Sequence, residues 1–549
     1  MVSRIKQAGR LWRTVRHLRP VQFYGRLWFR FVRPRPAIAP APGIRHQAGI
    51  WKPPACRAPG MTGPGVFRFL NEAGALADHG WDDPAKAKLW RYNQHYFDDL
   101  NAEAAAARAP WHHALIADWI ATNGPGHGTG WEPYPTSLRI VNWVKWALTG
   151  NTLDEAARHS LAIQTRWLTR RLEWHLLGNH LFANAKAMVF AGLWFDGPEA
   201  EGWLANGTRI LAREIPEQIL PDGGQFELSP MYHALALEDF LDLVNIARAF
   251  GRDDLADRWG APVSSMLDWL AAMTHPDDDL AFFNDTAIGI APANDRLTAY
   301  AEALGFARPG HPDGPLHLQA SGYARLSAGP AVVIADLGQI GPDYLPGHAH
   351  ADTLSFELSL RNRRVIVNSG TSVYGLGPER LRQRATAAHS TLMIDGQDSS
   401  EVWSGFRVGR RARLLGVRVA RDGAAQQAEG AHDGYRHMPG APLHSRAWRL
   451  SGSALVLTDR VEGGGAHRIE ARFHLAPGLR AEIASDGAVL VTQQQGQPVL
   501  TLITDGATPA VEPSSWHPQF GQSLPNQVIC LRAHASLPLE IKTRLDWID

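Results

Sequence analysis

The run Gly-His-Ala-His-Ala-Asp at 347–352 puts His348, His350 and Asp352 at alternate positions. At the start of a strand, alternate side chains face one side, so the three are expected to converge. Imidazole is the usual proton carrier near neutral pH and a frequent metal ligand, so this cluster could move protons or hold a cation. The alternative is a polar loop with incidental histidines. Ala-Thr-Ala-Ala-His-Ser-Thr adds His389, and Val-Asn-Ser-Gly-Thr adds Asn368 between the two histidine motifs. His350, Asn368 and His389 could surround one cation. A divalent site normally includes a carboxylate, and Asn368 offers only a neutral oxygen, so these residues leave metal binding open.

A second group lies in an Ala-rich, apolar segment. Gly-Asn-His-Leu supplies Asn179 and His180 within a helix expected over 172–195. A buried amide is costly unless hydrogen-bonded, so Asn179 is expected to face a cleft or a neighbouring helix. Gly-Gln-Phe-Glu-Leu-Ser-Pro-Met-Tyr-His at 224–233 brings Glu227, Tyr232 and His233. The aromatic run at 131–143 brings Arg139. Near the histidine motifs stand Arg384, Arg407, Arg410 and Arg411. Guanidinium forks match carboxylates and sulfates, although such arginines also serve as plain surface charge.

Positioning these groups requires two kinds of scaffold. From about 85 to 310 the apolar periodicity is helical, with segments expected at 135–149, 154–171, 200–220, 230–251 and 254–274. Repeated helical hairpins predict an array or toroid. After about 315 the period falls to two: 331–337, 353–360, 364–369, 454–459, 468–475 and 499–504 read as strands joined by Gly-rich turns. No helix-length crossovers intervene, which predicts an antiparallel β-sandwich. The expected fold is therefore multidomain, α then β, in three parts. A basic N-terminal segment and linker covers 1–84, an incomplete (α/α) toroid 85–315, and an antiparallel β-sandwich 316–549. A cleft between the last two is a natural binding site.

The first 36 residues carry ten Lys or Arg and no acid, interleaved with Trp12, Phe23, Trp28, Phe29 and Phe31. Such a segment could dock on the body of the protein or lie on an anionic membrane. The 549 residues carry a net charge of +1, which gives no field directed at nucleic acid. The 20 Trp suit helix cores and also sugar-stacking surfaces. Two cysteines, Cys56 and Cys530, form neither a disulfide framework nor a metal motif. No apolar run reaches the roughly 18 residues of a membrane helix and no secretory signal is visible, so a cytoplasmic or cell-associated location is expected.

Taken together, the motifs resemble the heparinase II/III family of polysaccharide lyases over about 85–470. The resemblance rests on Thr-Ser-x-Arg-x-x-Asn-Trp at 136–143, Gly-Asn-His at 178–180 and Glu-x-Ser-Pro-x-Tyr-His at 227–233. It continues through Phe-Asn-Asp at 283–285, His-x-His-x-Asp at 348–352, Asn-Ser-Gly-Thr at 368–371 and the His389 motif. It implies a toroid followed by antiparallel sheets, and β-elimination on a uronic-acid-containing glycan such as hyaluronan, chondroitin or heparan sulfate. The partner would be an acidic polysaccharide or oligosaccharide, with no organic cofactor. By similarity, Asn179 holds the uronate carboxylate, helped by His180 and Arg139. Tyr232 protonates the leaving oxygen and is also a candidate base, with His348 the alternative base. Glu227, His233, Arg384 and Arg407 would line the substrate. Position 368 is usually Asp in the family's metal site; Asn368 departs from that and weakens or alters a site for one divalent cation (Mn, Zn or Ca). Rival readings are an alginate or exopolysaccharide lyase, a glycoside hydrolase using Glu227 and Asp352, and a non-catalytic glycan-binding accessory protein of polysaccharide biosynthesis.

Overall fold

The computed structural model describes residues 2–310 and 314–547, with side chains from residue 7 onward. The first half is an incomplete (α/α) toroid. Its main helices are Lys88–Tyr96, Ala109–Thr122, Pro133–Leu148, Glu155–Thr169, Gly178–Trp194, Pro198–Gln218, Pro230–Ala249, Val263–Ala272 and Asn294–Ala303. Their shared core is rich in indoles: Trp119, Trp143, Trp146 and Trp259 are almost wholly buried. Most of the 20 tryptophans are thus core material, and a large flat side chain fills the space between helices well.

Two expected helices begin or end differently. The segment expected over 172–195 is helical only from Gly178. Leu177, just before it, has φ 63° and ψ −158°, a region that favours glycine and costs about 1–3 kcal/mol for other residues. The segment expected at 254–274 is two helices, Asp253–Gly260 and Val263–Ala272, separated at Ala261 and Pro262. Proline lacks the amide hydrogen that a continuous helix needs at that point.

The second half is two antiparallel sheets packed face to face. One has eight strands, in the order Leu414–Asp422, Ala425–His432, Leu443–Leu450, Ala454–Glu462, Leu539–Trp547, Pro498–Asp505, Val489–Gln493 and Leu479–Ile483. The other has nine, running from Thr508–Trp516 through Leu524–Ser536 and Ala466–Leu475 to Arg363–Val367, Phe356–Leu360, Ala331–Asp336, Tyr323–Ala328 and Leu316–Leu318. The short strand Leu392–Ile394 pairs alongside Ala466–Leu475. Alternate residues such as Phe356, Leu358, Trp448, Leu457 and Phe473 interdigitate between the sheets. His348, His350 and Asp352 precede the Phe356–Leu360 strand and lie in a turn-rich loop, and Asn368 follows the end of the Arg363–Val367 strand. Strand alternation therefore does not aim these groups; loop contacts do.

The two N-terminal helices, Val2–Val15 and Pro20–Phe31, dock on the body. Arg10 and Arg13 grip Glu401, at 3.0 and 2.8 Å. Trp403 donates to the Thr14 hydroxyl, and Gln22 donates to the Tyr344 carbonyl. Cys56 and Cys530 are both free thiols. Among the described residues, no helix is long and apolar enough to cross a membrane.

Candidate active site

The toroid meets the sandwich at one buried carboxylate. Asp285 sits in the Phe-Asn-Asp turn with no solvent exposure. His348 donates Nδ1–H to Asp285 Oδ2 at 2.8 Å, and His350 donates Nε2–H to Oδ1 at 2.8 Å. Arg380 forks onto both carboxylate oxygens, and the Thr371 hydroxyl donates to Oδ1 at 3.3 Å. Burial alone would raise this carboxyl. The Arg380 guanidinium and the two histidine bonds overcome it and hold Asp285 well below the usual carboxylate range. An ionised carboxylate only accepts, so each ring nitrogen facing it carries the proton. In the neutral imidazole, Nε2 of His348 is then the nitrogen with the free lone pair, the form a general base needs.

Each neighbour of Asp285 is held by the sequence around it. Asn284 donates its amide N–H to Asp352 and its side-chain N–H to the Leu228 carbonyl, and its side-chain oxygen accepts from the His350 amide. Ser229 caps the Pro230–Ala249 helix by accepting from the Tyr232 amide, and donates its hydroxyl to the Asp285 carbonyl at 2.6 Å. That cap places Tyr232, whose ring lies 4.0 Å from the His348 ring, centroid to centroid, and whose hydroxyl meets that of Tyr374 at 3.1 Å. Burial pushes the Tyr232 phenol well above its ordinary value, reinforced by Tyr374, so it stays protonated.

Around this pair stand the groups from the toroid. Glu227 is buried; its Oε1 accepts from Gln225, while Oε2 makes no hydrogen bond and lies 3.6 Å from His348 Nε2. Burial raises its pKa, partly offset by His348. Asn179 is half-buried in the first turn of the Gly178–Trp194 helix. His180 packs against Tyr134 at 4.5 Å and meets Glu173 at 3.2 Å. Burial opposes its protonation, but Glu173 raises its pKa, which favours a cation. Leu177, Leu228, Asn284 and Leu354 all hold positive φ, each within a few residues of a group just described. Backbone strain of this kind gathers where side chains must be aimed.

Two family models cover this arrangement: heparinase II/III N-terminus matches residues 143–305, and heparinase II/III-like, C-terminal, matches 311–547. The chain belongs to the heparinase II/III family. A heparin-sulfate lyase of Pedobacter heparinus is 26% identical over 40% of this chain, but the match spans only 36% of that lyase. FtsZ-localized protein C of Caulobacter vibrioides is 25% identical over 85% of this chain and 83% of its own length. Among solved structures, heparinase III superposes with a TM-score of 0.67 at 20% identity, covering 83% of this chain and 76% of that one. That likeness establishes the fold.

The family's metal position can be tested on the residues present. His350 Nδ1 faces His389 Nε2 at 3.1 Å. The outer N–H of His350 is committed to Asp285, and that of His389 to the Ala385 carbonyl at 2.9 Å. Two lone pairs therefore point at each other, an arrangement suited to a shared cation. Burial lowers His350 to about 4 and also lowers His389, which disfavours a shared proton. The Asn368 side-chain oxygen accepts from the amide of Ser390, the residue after His389, at 2.9 Å, and keeps a second lone pair. The nearby carboxylate is Asp352, whose ligand atom lies within 4.8 Å of both histidine nitrogens.

Other expected site residues are placed elsewhere. Arg139 is fully buried, donating to Gln164 and the His95 carbonyl and stacked 3.9 Å over Trp119. His233 is fully buried against Trp269 and donates to the Met266 carbonyl. Arg384 is fully buried, donating to the Ala349, Ser404 and Gly405 carbonyls. These three brace the walls and are out of a substrate's reach. Arg407 is exposed and lies over Trp403, beside the N-terminal helices. Three participants were missed by sequence reasoning: Asp285, Tyr374 and Arg380. Asp285 stood in a quoted motif without a role, whereas Tyr374 and Arg380 carry no spacing signal at all.

Proposed function

We propose that the protein is a polysaccharide lyase that cleaves a uronic-acid-containing glycan by β-elimination. The observation that carries this reading is the contact between Tyr232, held as a phenol, and His348, oriented by Asp285 through Nδ1. Elimination needs a base for the C5 proton, a donor for the departing oxygen, and neutralisation of the C6 carboxylate. His348 Nε2 takes the proton, and the C5–H electron pair moves into the enolate. Asn179 and His180, whose protonation Glu173 favours, hold the carboxylate against that charge. The C4–O bond breaks, Tyr232 protonates the oxygen, and a 4,5-unsaturated uronate remains. Burial works against a charge on Glu227, which eases the approach of the uronate.

A cation held by His350, His389 and Asp352 would fix the His350 ring and, through Asp285, the orientation of His348. A hydrolase would need two free carboxylates flanking the bond. Asp285 is bound by four side chains, and Asp352 is buried and accepts from the Asn284 amide, so Glu227 stands without a carboxylate partner. The substrate class this reading favours is glycosaminoglycan, with alginate or an exopolysaccharide as the rival. A non-catalytic accessory role is supported by the match to FtsZ-localized protein C, named for its location rather than a reaction.

The test is ultraviolet absorbance of the unsaturated product on hyaluronan, chondroitin, heparan sulfate, heparin and alginate. Tyr232→Phe is expected to lower turnover by about 10²- to 10⁴-fold, the usual worth of a general acid, with glycan affinity retained. Glycan binding without absorbance on any polymer or oligosaccharide would favour the accessory role.

A further inference from the structure

The Pro20–Phe31 helix is built inside out. A helix on the surface of a soluble protein turns its apolar stripe toward the core. Here Gln22, Gly25 and Phe29, at i, i+3 and i+7, face inward: Gln22 and Gly25 are buried and Phe29 stacks 4.3 Å from His175. The opposite face carries Phe23, Tyr24, Leu27, Trp28 and Phe31, which are 50–73% exposed. Leu11 and Trp12 of the preceding helix are 46% and 66% exposed. Among the described residues, five of the six exposed large aromatic side chains belong to these two helices.

Charge accompanies the aromatic face. The first 71 residues contain no Asp or Glu. Arg10, Arg13 and Arg19 are spent on Glu401 and Glu217 of the body. Arg16, Arg26, Arg30, Arg33 and Arg35 are exposed and form no ion pair among the described residues. With 3.6 residues per turn, Arg26 and Arg30 fall along one edge of the aromatic stripe. Aromatic and leucine side chains flanked by unpaired arginines are the chemistry of a helix lying in an anionic lipid interface. A protein partner would need an acidic, apolar groove to match; a bilayer surface bearing anionic phospholipid supplies both at once.

We infer that the Val2–Val15 and Pro20–Phe31 helices form a peripheral membrane-binding face for anionic phospholipid bilayers. The inner sides of the same helices grip both halves of the fold, at Glu217 and His175 in the toroid and at Glu401, Trp403 and Tyr344 beyond it. Lipid binding would therefore hold the whole body, with its cleft, at the membrane.

The full chain is incubated with vesicles of phosphatidylcholine alone and of phosphatidylcholine with phosphatidylglycerol, and binding is read by co-sedimentation. Binding is expected only with phosphatidylglycerol and is expected to weaken with salt. Each Arg→Gln change at 26, 30 and 33 should cost about fivefold in affinity, and Trp28→Ala with Phe31→Ala about tenfold each. These side chains are exposed, so the melting temperature should hold; a variant that unfolds is replaced by Trp28→Gln. No binding, equal binding to both vesicles, or a concentration-dependent dimer abolished by Trp28→Ala would overturn the inference.

Discussion

Asp285→Asn should disable the site while keeping its shape. The carboxylate accepts from His348, His350 and Thr371 and pairs with Arg380, and both Asp285 and Arg380 are at most 1% exposed. An amide is nearly isosteric, but one of its two positions becomes a donor. Facing His348 Nδ1, that NH2 group would push the ring proton to Nε2 and remove the lone pair that takes the substrate proton. Where an Asp that orients a catalytic His becomes Asn, turnover falls by about 10⁴ with geometry intact, and a similar loss is expected here. Arg380 would also lose its buried counterion, at a cost of about 3–5 kcal/mol. Initial rates of unsaturated-uronate formation, with thermal unfolding followed in parallel, separate the two effects. A folded Asp285→Asn protein with turnover within about tenfold of the parent would refute the claim that Asp285 sets the His348 tautomer.

Two further outcomes follow from the same contacts. Metal analysis of the purified protein should find about one equivalent of a divalent cation, lost in His389→Ala, whose Nε2 faces His350 Nδ1. Stability should also fall at low pH through Asp459. Burial opposes its ionisation, but Arg446 and His444 hold this carboxyl at about 2. A carboxyl depressed on folding lends stability above its unfolded pKa of about 3.9 and loses it as pH falls toward the folded value. Denaturant titrations should thus show about 2 kcal/mol lost between about pH 4 and 2, and Asp459→Asn should flatten that part of the profile.

The sequence alone determined the order of architectures. Period 3.6 before about 310 and period 2 after 315 follow from which face of each element must be buried, and burial is written locally in residue type. It also marked Asn179, His180, Glu227, Tyr232, His348, His350 and His389, because polar groups in apolar runs and closely spaced histidines stand out. Tertiary structure decided how these groups are used. Arg139, His233 and Arg384 have the chemistry of ligand-binding residues, yet each finds carbonyl or amide partners within the walls, which spacing does not encode. Asp285 and Arg380 lie 95 positions apart and meet only when the toroid docks on the sheets. Asp352 brings a carboxylate to the paired histidines through a loop ahead of the sheet, a meeting that strand alternation does not encode. The direction of an aromatic face is likewise invisible in one dimension. The N-terminal helices were amphipathic on paper, but only docking through Gln22, Gly25 and Phe29 shows that the apolar side points outward. Local sequence fixes what each side chain can do; the free energy of docking chooses which of them meet, and which are left facing out.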